Sequence, residues 1–280
     1  MNCNFHKRVI LTAILSLSFF LISLEPAIGA LYGVNSGTGG NFLAIIDETT
    51  AGVTNIGATG LTIDGLDFSP GNVLFAADNS NNRLVTLDPA TGAVDTVIGP
   101  FGIGTVEGLA FHPTSGALFG IDVVGDNLLA INTTTGAATV IGSFGVQGAF
   151  AGLSFSRNGN TLYGVNFDDG GLYTINTTTG AATLIGTGAI GPLGLATDPE
   201  TGDLYVAEWR GGADMTLAIV SPVNGSRTNV GTMVGAQQIE GLAFENVSTI
   251  PTMNEWGMII FMALAGVGSV YYLRRKKITG

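Results

Sequence analysis

The 280-residue chain has one cysteine, Cys3, and two histidines, His6 and His112. With so few of these residues, it cannot form an internal disulfide or a zinc site of the usual His and Cys type. No serine lies in a Gly-x-Ser-x-Gly elbow, and no glycine-rich string joins a strand to a helix as phosphate binding requires. A redox quinoprotein would also need a cofactor signature, and none is visible. These absences favour a non-catalytic protein without a recognisable organic cofactor.

Lysine is absent between the two ends of the chain. Six of the ten basic residues lie in the terminal segments, which leaves four arginines and 19 acidic residues in residues 31–247, a net charge of −15. Such a surface repels nucleic acid and anionic membranes, so we expect neither as a partner of this region.

The first 30 residues have the pattern of a secretory signal peptide. Lys7 and Arg8 precede an apolar stretch from Val9 to Ile22, and small residues follow near Ala30. The alternative, a membrane anchor, is disfavoured because 14 apolar residues are too few to span a bilayer. We therefore predict export and assign residues 1–30 to the signal.

A second apolar segment lies near the other end. Trp256 to Leu273 contains 18 uncharged residues, about 27 Å as a helix. The basic residues 274–277 (Arg274, Arg275, Lys276 and Lys277) follow directly, which disfavours the alternative of a buried core helix. Basic residues remain on the cytoplasmic side, so a transmembrane helix 256–273 would hold residues 31–247 outside the cytoplasm.

The residues before this helix resemble a known sorting signal. The motif Ile-Pro-Thr, two variable positions and Glu-Trp-Gly, followed by a helix and a basic cluster, is similar to the IPTL-CTERM signal of Gram-negative bacteria. The matching residues are Ile250, Pro251, Thr252, Glu255, Trp256 and Gly257. Met253 and Asn254 depart from the usual Leu and Ser. The resemblance implies that residues 248–280 are a sorting tail, processed by an exosortase-like enzyme in the inner membrane before the domain reaches the surface or exterior.

A repeat of 42–44 residues fills the middle of the chain. Five apolar runs with related sequences begin at Leu31, Leu74, Leu118, Leu162 and Leu204. Each repeat also contains a Gly-Leu run, beginning at Gly65, Gly108, Gly152, Gly194 and Gly241. Short apolar runs between Gly, Asn, Asp and Pro indicate strands, and this period is typical of propeller blades.

The repeats resemble those of NHL-like and WD40-like β-propellers, in which the Gly-Leu run is the innermost strand. The first repeat starts at a second strand and the last ends at an inner strand, Gly241 to Phe244. We therefore predict an all-β, five-bladed propeller over residues 31–247, closed by the C-terminal inner strand. Two open half-propellers or a β-solenoid are the alternatives.

Acidic residues precede three of the five inner-strand glycines. They are Asp64, Glu107 and Glu240, whereas Ala151 and Leu193 occupy this position in the other repeats. Carboxylates that converge at a channel mouth suit Ca²⁺, which takes six to eight oxygens. These three residues are the candidate metal ligands, and calcium is the candidate ion. Loops expected on the same face carry Asp78, Asp122, Asp126, Asp168, Asp169, Glu208 and Asp214.

The opposite face carries acids as well, and this supports a different interpretation. They are Asp47, Glu48, Asp88, Asp198, Glu200, Asp203 and Glu245. Asp at strand ends commonly accepts turn hydrogen bonds, so both sets are also explained by turn structure. His112, in a His-Pro-Thr-Ser-Gly turn, is likewise expected to be a polar turn residue and not a catalytic base.

Together these patterns predict an exported, membrane-sorted propeller that acts as a surface or periplasmic binding and scaffolding module, in an extracellular polymer matrix. Polysaccharide or protein would bind at the propeller loops, where Trp209 and Arg210 interrupt the repeat pattern. The alternative is a cation-dependent hydrolase or lactonase with its site at the acidic channel mouth.

Overall fold

The computed structural model describes residues 29–37, 39–211 and 215–246, and beyond them only Leu264. The predicted signal peptide, sorting motif, transmembrane helix and basic cluster therefore lie almost wholly outside the described residues. In the part of the chain that the structure describes, no helix has the length and apolar character needed to cross a membrane.

Residues 29–246 form one compact unit of 20 strands, numbered in chain order and arranged as five antiparallel sheets of four strands, blades 1–5. Blade 1 contains β1 (Leu31–Gly37), β2 (Gly40–Ile46), β3 (Val53–Ala58) and the last strand, β20 (Gln238–Phe244). Blade 2 contains β4 (Ile63–Phe68), β5 (Leu74–Asp78), β6 (Arg83–Leu87) and β7 (Val94–Pro100). Blade 3 contains β8 (Val106–Phe111), β9 (Leu118–Asp122), β10 (Asn127–Ile131) and β11 (Ala138–Ser143). Blade 4 contains β12 (Phe150–Phe155), β13 (Leu162–Asn166), β14 (Gly171–Ile175) and β15 (Ala182–Thr187). Blade 5 contains β16 (Pro192–Thr197), β17 (Leu204–Trp209), β18 (Met215–Val220) and β19 (Arg227–Thr232).

The five blades form a closed ring. Their inner strands β4, β8, β12, β16 and β20 contact one another in a cycle, and β20 pairs with β1, with Leu31 opposite Phe244 and Ser36 opposite Gln238. The prediction of a five-bladed all-β propeller closed by the C-terminal inner strand is therefore confirmed. An open pair of half-propellers and a solenoid do not fit this cycle.

The hydrophobic core lies between the blades. Five clusters of buried apolar side chains are present, and each combines residues from two neighbouring blades. One of them joins Val34 and Leu43 of blade 1 to Leu66 and Leu74 of blade 2. Because both faces of a blade are covered, its strands do not alternate strictly between apolar and polar residues; β17, the second strand of blade 5, has five consecutive buried residues.

The inner-strand glycines lie where the backbones of adjacent blades meet. A Cβ at Gly65 would lie 2.7 Å from the backbone nitrogen of Gly108, and one at Gly152 would lie 2.7 Å from that of Leu195. Side-chain carbons do not approach backbone atoms so closely, so only glycine fits at these contacts. The repeated Gly-Leu run is therefore explained by packing around the ring axis.

We expect Gly152→Ala to destabilise the propeller, because the new methyl group would push β12 away from β16. Overpacking of this kind costs about 1–3 kcal/mol or more. For a domain of this size, this lowers Tm by about 2–4 °C per kcal/mol, which a calorimetric melt of the full-length chain measures.

The matched control is Gly71→Ala. A Cβ at Gly71 would have its nearest neighbour at 3.8 Å, the Oγ of Ser69, so we expect little change in Tm. Equal melting temperatures for Gly152→Ala and the control would contradict the packing explanation.

Candidate functional site: the acidic channel mouth

A β-bulge shapes each inner strand beside its glycine. In blade 2, Ile63 pairs with Asp78 and Gly65 with Ala77, so Asp64 is the extra residue. Ala151 and Leu193 are the extra residues in blades 4 and 5. An extra residue leaves the regular cross-strand pairing, and its side chain is turned in a new direction.

In blades 3 and 1 the glycine itself is the extra residue. Gly108 and Gly241 have φ values of 45° and 58°, which favour glycine, and Glu107 and Glu240 directly precede them. Three neighbouring inner strands thus carry a carboxylate at the same level of the channel. The structure brings together the three residues that the sequence pattern selected; we call them the acidic mouth.

The three carboxyl groups influence one another's ionisation. Burial raises the pKa of Glu107 to about 7, and the negative charge of Asp64 adds to the rise. Burial raises the pKa of Glu240 to about 8, and the charges of Asp64 and Glu107 add to it. Burial also raises the pKa of Asp64, while a hydrogen bond from the Asn79 side chain, 2.5 Å long, acts in the opposite direction. The acidic mouth therefore binds protons near neutral pH.

Among the described residues, no group of three or more His, Cys, Asp or Glu side chains is arranged so that it could hold a metal ion. Any cation would also compete with the protons on Glu107 and Glu240. The role of Asp64, Glu107 and Glu240 as calcium ligands stays a prediction from the sequence.

The acids at the ends of the second strands support the loops. Asp78 and Glu208 are fully buried and accept hydrogen bonds from the Nε atoms of Arg83 and Arg227, each at 2.7 Å. Asp122 accepts hydrogen bonds from the Gly125 backbone and the Asn127 side chain. The sequence places these acids on the same face as the candidate ion ligands, and the structure shows that each of them accepts hydrogen bonds that hold its loop.

The remaining loop acids on this face differ in their roles. Asp168 accepts a hydrogen bond from the Ala149 backbone, and Asp169 accepts hydrogen bonds from the Gly171 backbone and the Tyr173 hydroxyl. Asp126 is an exposed turn residue with a φ of 51°, and Asp214 lies outside the described residues.

On the opposite face, several polar residues stabilise turns. Asp47 accepts hydrogen bonds from the backbone N–H groups of Thr49 and Thr50 and from the Thr49 hydroxyl, which lowers its pKa to about 2. Asp88 is held in a similar turn, and its pKa is also lowered. His112 accepts two backbone hydrogen bonds through Nδ1, so its ring serves the same turn structure.

An aromatic pair lies on the loop face between blades 4 and 5. Trp209 at the end of β17 stacks on Phe167, with ring centroids 6.3 Å apart and planes at 19°, and the residue is 39% exposed. Arg210 follows it, and its Nη2 atom lies 3.6 Å from a carboxylate oxygen of Glu208. We call Phe167, Trp209 and Arg210 the aromatic platform.

A family model described as a repeat of unknown function (DUF6923) matches residues 16–192, more than half of the chain. The chain belongs to the DUF6923 family. The match includes strands β1 to β15, so the family repeat corresponds to propeller blades. A comparison of the DUF6923 chain with curated proteins finds no significant match.

Solved structures support the fold of this DUF6923 chain. A chain of the nidogen/laminin complex is similar with a TM-score of 0.54 and 13% identity, over 78% of this chain and 98% of that one. A structural genomics protein of unknown function from Bacteroides thetaiotaomicron VPI-5482 has a TM-score of 0.55 and 16% identity, over 81% and 66%. A streptogramin B lyase structure has a TM-score of 0.45 and 15% identity, over 74% and 70%.

The acidic mouth predicts a pH dependence of stability. A carboxyl group with a raised pKa in the folded state binds protons more tightly there than in the unfolded chain, so stability falls as pH rises from about 4.5 to 8. We expect Glu240→Gln to flatten this fall and to stabilise the protein at pH 8 by about 1–3 kcal/mol. Urea denaturation of the full-length chain between pH 5 and 9 measures the effect.

Asp126→Asn provides the control. It also removes one carboxylate, but from an exposed turn, and asparagine tolerates the positive φ of this position. If Glu240→Gln and Asp126→Asn changed the pH profile equally, the assignment of the fall to the acidic mouth would be wrong.

Proposed function

We propose that this DUF6923 chain is an exported β-propeller that acts as a non-catalytic binding and scaffolding module, at the cell surface or in an extracellular polymer matrix. The observation that carries the proposal is the aromatic platform. An exposed tryptophan held flat by Phe167 provides an apolar surface, and Arg210 beside it provides hydrogen-bond donors. Such a combination suits a polysaccharide or an extended protein segment.

The platform is held in place by the buried carboxylate of Glu208. The Nε–H of Arg227 is shared between the two oxygens of this side chain, which also accepts a hydrogen bond from the Ile190 backbone and lies near Arg210. Ile190, in the adjacent loop, is 45% exposed and extends the apolar surface. A recognition surface that is rigid before binding loses less conformational entropy when its partner arrives.

Charge narrows the class of partner. The net charge of −15 for residues 31–247 disfavours polyanions, and Arg210 is one of only four arginines in that region. A neutral polysaccharide, or a protein with a basic patch, meets this constraint.

The proposed cellular location of the module is inferred from the terminal segments. We propose that residues 1–30 direct export, that helix 256–273 anchors residues 31–247 on the periplasmic side of the inner membrane, and that an exosortase-like enzyme recognises the sorting motif. The support is the order of motif, apolar segment and basic cluster in residues 250–277.

The hydrolase alternative has less support. It requires a bound cation at the acidic mouth, where Glu107 and Glu240 retain protons near neutral pH and where no three described acids are arranged for one metal ion. We therefore keep binding as the proposed function.

Binding can be tested with the full-length chain and exopolysaccharide from the producing cells, by affinity electrophoresis. We expect Trp209→Ala to weaken retention at least fivefold, because the flat aromatic surface is lost. Val223→Ala, at an exposed turn position, is the matched control and should bind as the wild type does. Retention that does not depend on Trp209, or release of shortened polysaccharide, would contradict a binding module of this kind.

Export and anchoring make a separate prediction. In a Gram-negative host, the full-length chain should be recovered with the membrane fraction, and residues 31–247 should be digested by protease added to spheroplasts. Removal of residues 250–280 should release the domain into the periplasm. Recovery of the full-length or the truncated protein in the cytoplasm would refute the predicted location.

A further inference from the structure

A cavity of about 270 Å³ lies where the inner strands end, at the other mouth of the channel from the acidic mouth. Its wall includes the last residue of every inner strand, and these are Phe68, Phe111, Phe155, Thr197 and Phe244. We call it the distal cavity.

Four of these five residues take part in a repeated aromatic contact between blades. Each phenylalanine meets, nearly edge to face, an aromatic residue of the second strand of the preceding blade. The pairs are Tyr32–Phe68, Phe75–Phe111, Phe119–Phe155 and Tyr205–Phe244, with ring centroids 5.0 to 5.5 Å apart. Such contacts fill the space between blades with aromatic carbon.

Blade 5 breaks this pattern. Thr197 stands where the other blades have phenylalanine, and its hydroxyl group forms a 2.8 Å hydrogen bond with the hydroxyl of Ser154. A threonine is much smaller than a phenylalanine, so the substitution leaves room at the mouth. The hydroxyl groups of Thr197 and Ser154 both lie on the wall of the distal cavity.

Asp67 is a second break in the repeat. The equivalent residues in the other blades are Ala110, Ser154, Ala196 and Ala243. The carboxylate of Asp67 accepts hydrogen bonds from the backbone N–H groups of Phe68 at 2.9 Å and Phe111 at 2.6 Å. Because each carboxylate oxygen has two lone pairs, both oxygens can accept another hydrogen bond from the cavity side.

The polar lining has one acidic and one basic residue. Asp67 and Arg157 are the acidic and basic lining residues, and the amide of Asn246 adds a neutral polar group. Arg157 donates a hydrogen bond to the backbone oxygen of Glu200, and Asn246 donates one to that of Ser69, so both side chains are held in place. Burial raises the pKa of Asp67 to about 7 despite its two backbone hydrogen bonds. Near neutral pH both forms of the carboxyl group are therefore populated: the protonated form can donate a hydrogen bond and the ionised form can accept one.

We propose that the distal cavity binds one neutral sugar unit, with its hydroxyl groups bonded to Asp67, Ser154 and Thr197 and its C–H faces against the phenylalanine walls. The volume is near the lower limit of small-molecule sites and suits a single ring. A cation would lie beside Arg157, and an anion would lie beside Asp67 whenever that carboxyl group is ionised, so a neutral ligand suits the lining better. This site is distinct from the aromatic platform, so it can be tested independently.

The probes are D-glucose, D-galactose, D-mannose and N-acetyl-D-glucosamine, with choline and acetate as charged comparisons. Saturation-transfer difference NMR on the full-length chain reports which of them bind. We expect at least one of the four sugars to show a signal, and neither charged compound to do so. Thr197→Phe restores the residue of the other four blades and should abolish the signal by filling the cavity.

Asp67→Asn tests the hydrogen bonding without closing the cavity. We expect its dissociation constant for the bound sugar to be about tenfold higher. Asp126→Asn, on the other face, should bind as the wild type does, and Tm values show whether each variant is folded.

Three outcomes would overturn the proposal. The first is that none of the four sugars gives a signal with the wild type, and the second is that choline or acetate binds instead. The third is equal sugar binding by a folded Thr197→Phe variant. A Trp209→Ala variant that loses polysaccharide but keeps the monosaccharide signal would separate this site from the aromatic platform.

Discussion

The close approach of neighbouring inner strands is the constraint on which this propeller depends. A ring of only five blades brings the inner backbones together so tightly that no side chain fits between Gly65 and Gly108, or between Gly152 and Leu195. The glycines in turn permit the bulges that set the direction of the preceding side chain. Packing at the axis therefore determines where Asp64, the first carboxylate of the acidic mouth, is presented.

A scarcity of cations explains how the acids of this domain are used. Two of the four arginines, Arg83 and Arg227, neutralise buried carboxylates at second-strand ends. Other carboxylates, such as that of Asp47, are stabilised by backbone N–H groups in exposed turns. Glu240 has neither kind of partner among the hydrogen bonds described here, and its pKa rises until the group holds a proton near neutral pH. Carboxylate side chains thus serve three different roles, according to the donors that surround them.

The fold followed from the sequence because its signals are local and occur five times. The runs that begin at Leu31 and Gly65 recur at nearly constant spacing, and the order of the first and last runs indicated how the ring closes. The roles of individual acidic residues depend instead on partners that are distant in the sequence. Glu208 is neutralised by Arg227, 19 residues later, and the local pattern around Glu208 does not reveal this partner.

The distal cavity was missed although its signals were present. Thr197 ends a Gly-Leu-Ala-Thr run where four other runs end in phenylalanine, and Asp67 interrupts a position otherwise occupied by small residues. Departures from a repeat are informative because the repeat already specifies the fold. A residue that departs from the repeat in a single blade is not needed for the shared packing and can have another role, such as ligand binding.

Closure of the ring by β20 and β1 also has a mechanical consequence. Both ends of the propeller leave the same blade at the same level, since Leu31 lies opposite Phe244, and the backbone N–H of Glu245 donates a hydrogen bond to the carbonyl of Ala30. A force that separates these ends would load the cross-strand hydrogen bonds one after another, beginning at Ala30. Antiparallel strands pulled apart in this way yield at lower force than strands that must slide past each other. Tension between the two ends would therefore open the ring at blade 1 and leave the other four sheets intact.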